Sequence, residues 1–266
     1  MGELVFVGLG LYDENDISLR GLGEVKNADF VFAELYTSLM LGIKIERLEE
    51  AVGQKVVLVS RKMLEEDDGN IIIAAAMEGK AAFLVPGDPL IATTHVNLRI
   101  KAKETGIKTR VIHGASIISA VVGLSGLQNY KFGRSVTIPF IAEGLAETPY
   151  NVIEGNLEAG LHTLCFLDIR AEKKQCMSIK EALKTLLAIE ATKRKGLISK
   201  TRLVVGIARA GSTTVVVKAG PLNEVLSHDF GGPPHTLVFP SRLHFVEAEA
   251  LIQLANAPRS IWELTK

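Results

Sequence analysis

Two glycine-bearing turns have the residue types and spacing that point to ligand chemistry. Gly8-Leu9-Gly10-Leu11 follows an apolar run, and Pro86-Gly87-Asp88-Pro89 follows a second one at 81–85. Glycine has no side chain to hold a ligand away from the backbone, and the two prolines stiffen the second turn. Asp88 sets an acid there with no lysine or arginine beside it in sequence. Such an aspartate either caps the segment that begins near Leu90 or serves a ligand that is cationic or rich in hydroxyl groups. In α/β sheets, ligands lie outside the carboxyl ends of the strands, where strand order reverses. Two such turns from one sheet can therefore hold one small molecule.

Other nucleotide chemistries fit less well. The dinucleotide fingerprint needs a third glycine three residues after Gly10, and Asp13 stands there; only Glu34, near the place of a ribose-binding acid, speaks for it. No glycine-rich loop ends in Gly-Lys-Ser/Thr, so a P-loop is excluded. Cys165 and Cys176 are too few for a disulfide framework or a four-cysteine zinc site, and Cys165 sits in the apolar run 163–169 as a buried thiol. No metal site is expected.

The elements that must position the turns follow from the apolar pattern. Strands are expected at 4–7, 28–32, 56–60, 81–85 and 108–112. Helices are expected from Asp16 or Ser18 to about Asn27, at 71–78 before Gly79, and at 96–105 before Gly106. This alternation implies a mainly parallel sheet with helices on both faces. His113-Gly114-Ala115 reads as a hinge, and Ser116 caps a short helix of small residues. Beyond it, strands are expected at 136–141, 163–169, 203–208, 213–219 and 236–239, the third and fourth forming a hairpin through 209–212. Ser178-Ile179-Lys180-Glu181 is a capping box, with Leu183, Leu186, Leu187 and Glu190 on the face behind it; a last helix starts near Val246. The fold class is α/β, with a mainly parallel N-terminal domain over 1–113 and a C-terminal domain of mixed sheet over 114–266.

Composition bounds the partners. The 266 residues are 47% hydrophobic but only 6% aromatic, so the core is aliphatic, as buried parallel strands require. Thirty acidic and thirty basic residues cancel, which argues against nonspecific nucleic-acid binding. Glu3 takes the place of a basic leader start, and no apolar run approaches the roughly 20 residues that span a membrane. A soluble, cytoplasmic protein without nucleic-acid or membrane partners is expected.

Six strings recur in order along nearly the whole chain. They are Ala33-Glu34-Leu35-Tyr36-Thr37-Ser38; Gly87-Asp88-Pro89 with Ala92-Thr93-Thr94-His95; His113-Gly114-Ala115-Ser116-Ile117; Gly160-Leu161-His162-Thr163-Leu164 with Leu167-Asp168-Ile169; Ala208-Arg209-Ala210-Gly211-Ser212; and Pro234-His235-Thr236-Leu237. With the two glycine turns, they resemble the tetrapyrrole-methylase-type S-adenosylmethionine methyltransferases. Within these, the chain is similar to the archaeal branch that modifies a histidine of translation elongation factor 2. The resemblance implies a homodimeric enzyme that binds S-adenosylmethionine between its two domains and releases S-adenosylhomocysteine. It would N-methylate, to the trimethyl form, the amino group of an aminocarboxypropyl tail on that histidine. Carried across by motif, the cofactor contacts are Leu11, Asp88, Ile91, Ser116, Ile117, Leu167, Ala210 and His235. The chain departs from the family in the segment matching 140–150: relatives carry aromatics there, including a tryptophan, whereas this chain reads Phe140-Ile141-Ala142-Glu143-Gly144-Leu145 and has only Trp262. Two alternatives stay open: a methylase of the same fold acting on a tetrapyrrole or corrin ring, and a nucleotide-binding module without catalysis.

Methyl transfer from a sulfonium is an in-line displacement, so the protein mainly aligns the reactants and excludes water. The amine must be neutral to attack, which calls for a proton acceptor. His95, Asp168 and His235 are the candidates for that base, and none is assigned. Their plainer roles are, in turn, a helix-surface histidine, a strand-end acid bonded to backbone and a cofactor contact. Arg170 and Arg209, just after strands, fit the carboxylate of the tail. Lys193-Arg194-Lys195 with Lys200 is either a solvated loop or a docking patch for an acidic partner.

Overall fold

The computed structural model describes residues 2–141, 146–170 and 175–265. The chain forms two compact units, Met1–Ile117 and Ile118–Lys266.

The first unit runs β1 (Glu3–Gly8), α1 (Leu19–Lys26), β2 (Phe30–Ala33), α2 (Ile45–Val52), β3 (Val57–Leu58), α3 (Arg61–Glu65), α4 (Asn70–Glu78), β4 (Lys80–Val85), α5 (Val96–Glu104) and β5 (Lys108–Ile112). All five strands are parallel, in the order β3-β2-β4-β1-β5. Residues Leu4, Val5, Phe6 and Val7 of β1 have no exposed surface, because helices cover both sides of the sheet. Val5 and Val7 pack with Val25 of α1 and Leu48 of α2, whereas Leu4 and Phe6 pack with Ile72 of α4 and Leu98 of α5. Each such side chain contributes about 1.5–3 kcal/mol of burial. The step from β1 to β2 passes over β4 in one direction, and the step from β4 to β5 passes over β1 in the other. Right-handed crossovers then put α1 and α5 on opposite faces, and the strand order reverses between β1 and β4. The two glycine turns leave the sheet there.

Ser18 caps α1 as expected, accepting from the Gly21 N–H. Two helices of this unit, α2 and α3, were not expected. The strand expected at 56–60 shrinks to two edge residues, both exposed.

The chain passes into the second unit along α6 (Ile117–Ser125), followed by β6 (Val136–Ile138), α7 (Thr148–Glu158), β7 (Thr163–Leu167), β8 (Ile169–Arg170), β9 (Gln175–Cys176), α8 (Ile179–Lys193), β10 (Leu203–Ala208), β11 (Val216–Pro221), α9 (Leu222–Ser227), β12 (His235–Phe239) and α10 (Phe245–Ala255). Its sheet order is β11-β10-β12-β7-β6; β6 and β7 are parallel and the other neighbours antiparallel, so the sheet is mixed. The expected strand 163–169 breaks at Asp168, and its far end pairs with β9 in a separate ribbon. The expected hairpin is present, but β11 starts at Val216, which lengthens the connection to 209–215. The capping box of Ser178 and Glu181 forms, and Leu183 and Leu186 behind it are fully buried. Cys165 is buried, which pushes its thiol well above the ordinary range. No helix of the described residues is long and apolar enough to cross a membrane. Residues 142–145, within the stretch that departs from the family, lie outside the described residues.

Candidate active site

The floor of the site is glycine backbone. The Leu9 N–H donates to the Val85 carbonyl at 2.8 Å, continuing the β1–β4 pairing past the strand ends. Gly10 and Gly87 then exchange two bonds, Gly10 N–H to Gly87 O at 3.3 Å and Gly87 N–H to Gly10 O at 2.7 Å. Both lie in the left-handed region, at φ +86° and +69°. The turn after β5 closes against them. A Cβ on Gly114 would stand 2.4 Å from Gly87 O, and one on Gly8 would stand 2.5 Å from Gly114 N. Three strand ends thus touch through backbone, a packing that no side chain permits. Gly87, by contrast, would bring a Cβ only into ordinary van der Waals contact, 3.9 Å from Ala115 O.

Polar groups fix the rim of this floor. Asp16 Oδ2 accepts from the Leu11 and Tyr12 N–H groups at 3.1 and 2.6 Å, which closes the first turn. Asp88 is buried; its Oδ1 accepts from the Leu90 N–H at 3.3 Å, and its Oδ2 accepts from His113 Nδ1 at 2.7 Å. The helix-cap role for Asp88 therefore needs correction: α5 starts at Val96 with His95 in the cap position, and Asp88 caps only the turn. Ile91 follows on that turn, partly exposed, and Ser116 is buried after β5. Ile117 begins α6.

Glu34 and His95 lie together at the end of β2. Glu34 has no exposed surface and accepts from the Tyr36 N–H at 2.9 Å, the Thr37 N–H at 3.0 Å, the Thr37 hydroxyl and His95 Nε2 at 3.2 Å. Fully buried, with both oxygens taken by these donors, Glu34 holds its own loop, and the ribose role that kept a dinucleotide in view loses its support. His95 is not on a helix surface. It is 2% exposed, edge-on to Phe83 with ring centroids 5.1 Å apart.

In the second unit, strand register gathers three residues at one sheet end. Leu167 ends β7, His235 opens β12 one step beyond the Thr236–Phe166 pair, and Ala210 follows β10, where Ala208 pairs with His235. His235 Nδ1 accepts from the Ile179 N–H at 3.4 Å, and Nε2 donates to the Gly232 carbonyl at 3.0 Å. Burial lowers the pKa of its imidazole. Arg209 donates to the Phe230 and Gly232 carbonyls, both at 2.6 Å, and to Thr214 O at 3.1 Å, so it holds loops together instead of facing a cleft. Arg170 lies over the Phe140 ring at 4.9 Å. Asp168 Oδ2 accepts from the Phe140 N–H at 3.2 Å, the strand-end role its position suggested. Within the basic run, Lys193 pairs with Glu147 at 2.8 Å and Lys195 with Glu154 at 2.7 Å.

The sequence did not mark the contact between Asp88 and His113. The residues are 25 apart in sequence and meet only because β4 and β5 flank β1 and end together. The signal available was that each closely follows an apolar strand.

This fold and site define a methylase of the tetrapyrrole type: the family model of the tetrapyrrole (corrin/porphyrin) methylases matches residues 3–226. The diphthine synthase of Methanosarcina mazei is 50% identical over 266 residues, covering 98% of each chain. That of Methanothermobacter thermautotrophicus is 47% identical over 261 residues, again 98% of each. A crystal structure of a diphthine synthase superposes with a TM-score of 0.90 at 44% identity, over 98% of this chain and 99% of that one. The chain belongs to the diphthine synthase family and is a methyltransferase.

Proposed function

We propose that the protein transfers methyl groups from S-adenosylmethionine to the amino group of the 3-carboxy-3-aminopropyl tail on a histidine of translation elongation factor 2. Three transfers would give the trimethylated product diphthine, a step toward diphthamide. The observation that carries this reading is near-full-length likeness to diphthine synthases on a chain whose two glycine turns meet at the reversal of strand order. The same likeness favours it over ring methylation or a non-catalytic nucleotide module.

The residues present fit the cofactor. The glycine floor offers bare backbone at Gly87, where a Cβ would make no close contact, and buried Asp88 stands at its edge. In this reading, Leu11, Asp88, Ile91, Ser116, Ile117, Leu167, Ala210 and His235 hold the cofactor. When bound, the cofactor supplies a sulfonium-activated methyl group. The protein has little bond chemistry to perform: its rigid turns fix the angle of approach, and apolar Leu11, Ile91 and Leu167 exclude water. His235, which accepts from Ile179 and donates to Gly232, acts as a fixed wall. That arrangement and its lowered pKa make it a poor proton acceptor. A cytoplasmic homodimer is part of the proposal, a symmetric pair being the commonest assembly of soluble chains.

Incubation with methyl-labelled S-adenosylmethionine tests it. Label is expected on elongation factor 2 that bears the tail and not on the factor lacking it. Label on a tetrapyrrole in place of the factor would contradict the proposal.

A further inference from the structure

We propose that His113 is the catalytic proton acceptor for the attacking amine, held in position by Asp88; this rests on the methylation reading above. The chain has six histidines. His95 and His162 are 2% and 0% exposed and bonded to the buried carboxylates of Glu34 and Glu247. His235 has both ring nitrogens bonded to backbone. His244 caps α10, accepting from the Val246 N–H, and His228 lies edge-on to Phe230. His113 differs from all of them. Its side chain is 79% exposed, while its Nδ1 lies 2.7 Å from the oxygen of a carboxylate that is only 8% exposed.

That geometry sets which nitrogen does the work. A carboxylate behind Nδ1 keeps the proton there and leaves the lone pair on Nε2, the arrangement that suits a general base. Asp88 is itself fixed by the Leu90 N–H. The next residue, Gly114, packs so closely that a Cβ there would stand 2.4 Å from Gly87 O, so the His113 backbone stays against the glycine floor. The imidazole therefore stands at the carboxyl edge of the sheet, next to the paired turns of Gly10 and Gly87.

The tail ammonium gives one proton to His113 Nε2, and the electron pair of that N–H bond stays on nitrogen. The pair forms the new N–C bond to the sulfonium methyl as the C–S bond breaks, its electrons passing to sulfur to leave a neutral thioether. His113, now an imidazolium beside the Asp88 carboxylate, releases the proton to solvent, which its exposure permits. Each transfer starts from an ammonium and releases one proton.

The test uses the full chain with S-adenosylmethionine and elongation factor 2 bearing the tail. In single turnovers at saturating cofactor, His113→Gln is expected to slow transfer by about 100-fold or more. Cofactor affinity by calorimetry should stay within about threefold. Added imidazole should restore part of the rate of His113→Ala. Nitrogen-15 NMR of the unliganded wild type should show His113 protonated at Nδ1, and Asp88→Asn should lose that preference. An active wild type beside an equally active His113→Gln overturns the role, as does a variant whose only defect is cofactor affinity, or an Nε2-protonated tautomer in the wild type. A wild type that transfers no methyl overturns the substrate reading, and this role with it.

Discussion

Gly10 and Gly87 form a two-bond antiparallel bridge within an otherwise parallel sheet, joining the turns that leave β1 and β4 in opposite directions. The bridge converts two separate loops into one rigid edge. With Gly114 packed behind it, that edge has no room for a Cβ at Gly8, Gly10 or Gly114.

Gly114→Ala should therefore be severe. Its Cβ would meet the Gly87 and Gly8 backbones at 2.4 and 2.9 Å, and backbone cannot rotate away. We expect a loss of about 3 kcal/mol of stability together with loss of cofactor binding. The contrasting change is Gly23→Ala in α1, where nothing lies within 4 Å of a new Cβ. It should stabilise by about 0.5–1 kcal/mol through helix propensity alone. Urea denaturation of both variants checks the pair of predictions; equal effects would show that the floor is not tight.

Glu247 should dominate the acid stability of the second unit. It has no exposed surface and accepts from His162 Nε2 at 2.9 Å, the Gln128 N–H at 2.8 Å, the His244 N–H at 2.7 Å and Lys131 Nζ. Burial alone would raise its carboxyl, but these donors outweigh it and hold the pKa at about 2, against an ordinary 4.5. A depressed carboxyl contributes stability that is full above about 4.5 and is lost as pH falls toward about 2. The linkage is worth about 3 kcal/mol. Glu247→Ala, which strands His162 and Lys131, should cost about 3–5 kcal/mol at neutral pH. Denaturation at pH 7 and pH 3 should show Glu247→Gln with a flatter pH dependence than wild type.

Arg209 should prove a structural anchor with an indirect effect on binding. Its Nη1 donates to both the Phe230 and Gly232 carbonyls while its Nε donates to Thr214, and Gly232 in turn accepts from His235. The single ammonium of a lysine cannot reach both of these acceptor groups at once. Arg209→Lys is expected to weaken cofactor affinity about tenfold while single-turnover rates at saturation stay near wild type. Calorimetry and rapid-quench kinetics separate the two; a rate defect with unchanged affinity would contradict this.

Much of this was legible from local pattern. The apolar runs that end in Gly8 and Val85 announced β1, β4 and their turns, and the Ser178–Glu181 box announced α8. The missed helix α3 carries a cap signal in Ser60, which the strand expected at 56–60 absorbed, whereas α2 lacks a starting signal. Helix α2 is entered from Lys44, which makes no side-chain cap bond, and only the left-handed Gly53 marks its end. The run 163–169 reads as one strand because nothing in its apolarity shows Asp168 turning to the Phe140 N–H. His95 looked like a surface residue because its partner Glu34 is 61 residues away. The same distance effect hid His113, whose role depends on two strand ends meeting.

Methyl transfer to the tail amine is tested most directly by mass spectrometry of elongation factor 2 bearing the aminocarboxypropyl histidine, after incubation with this protein and S-adenosylmethionine. The expected result is three successive methylene increments confined to the peptide that carries the modified histidine. No increment on that peptide, with calorimetry still showing cofactor binding, would contradict the assigned substrate and leave a methyltransferase of the same fold acting elsewhere.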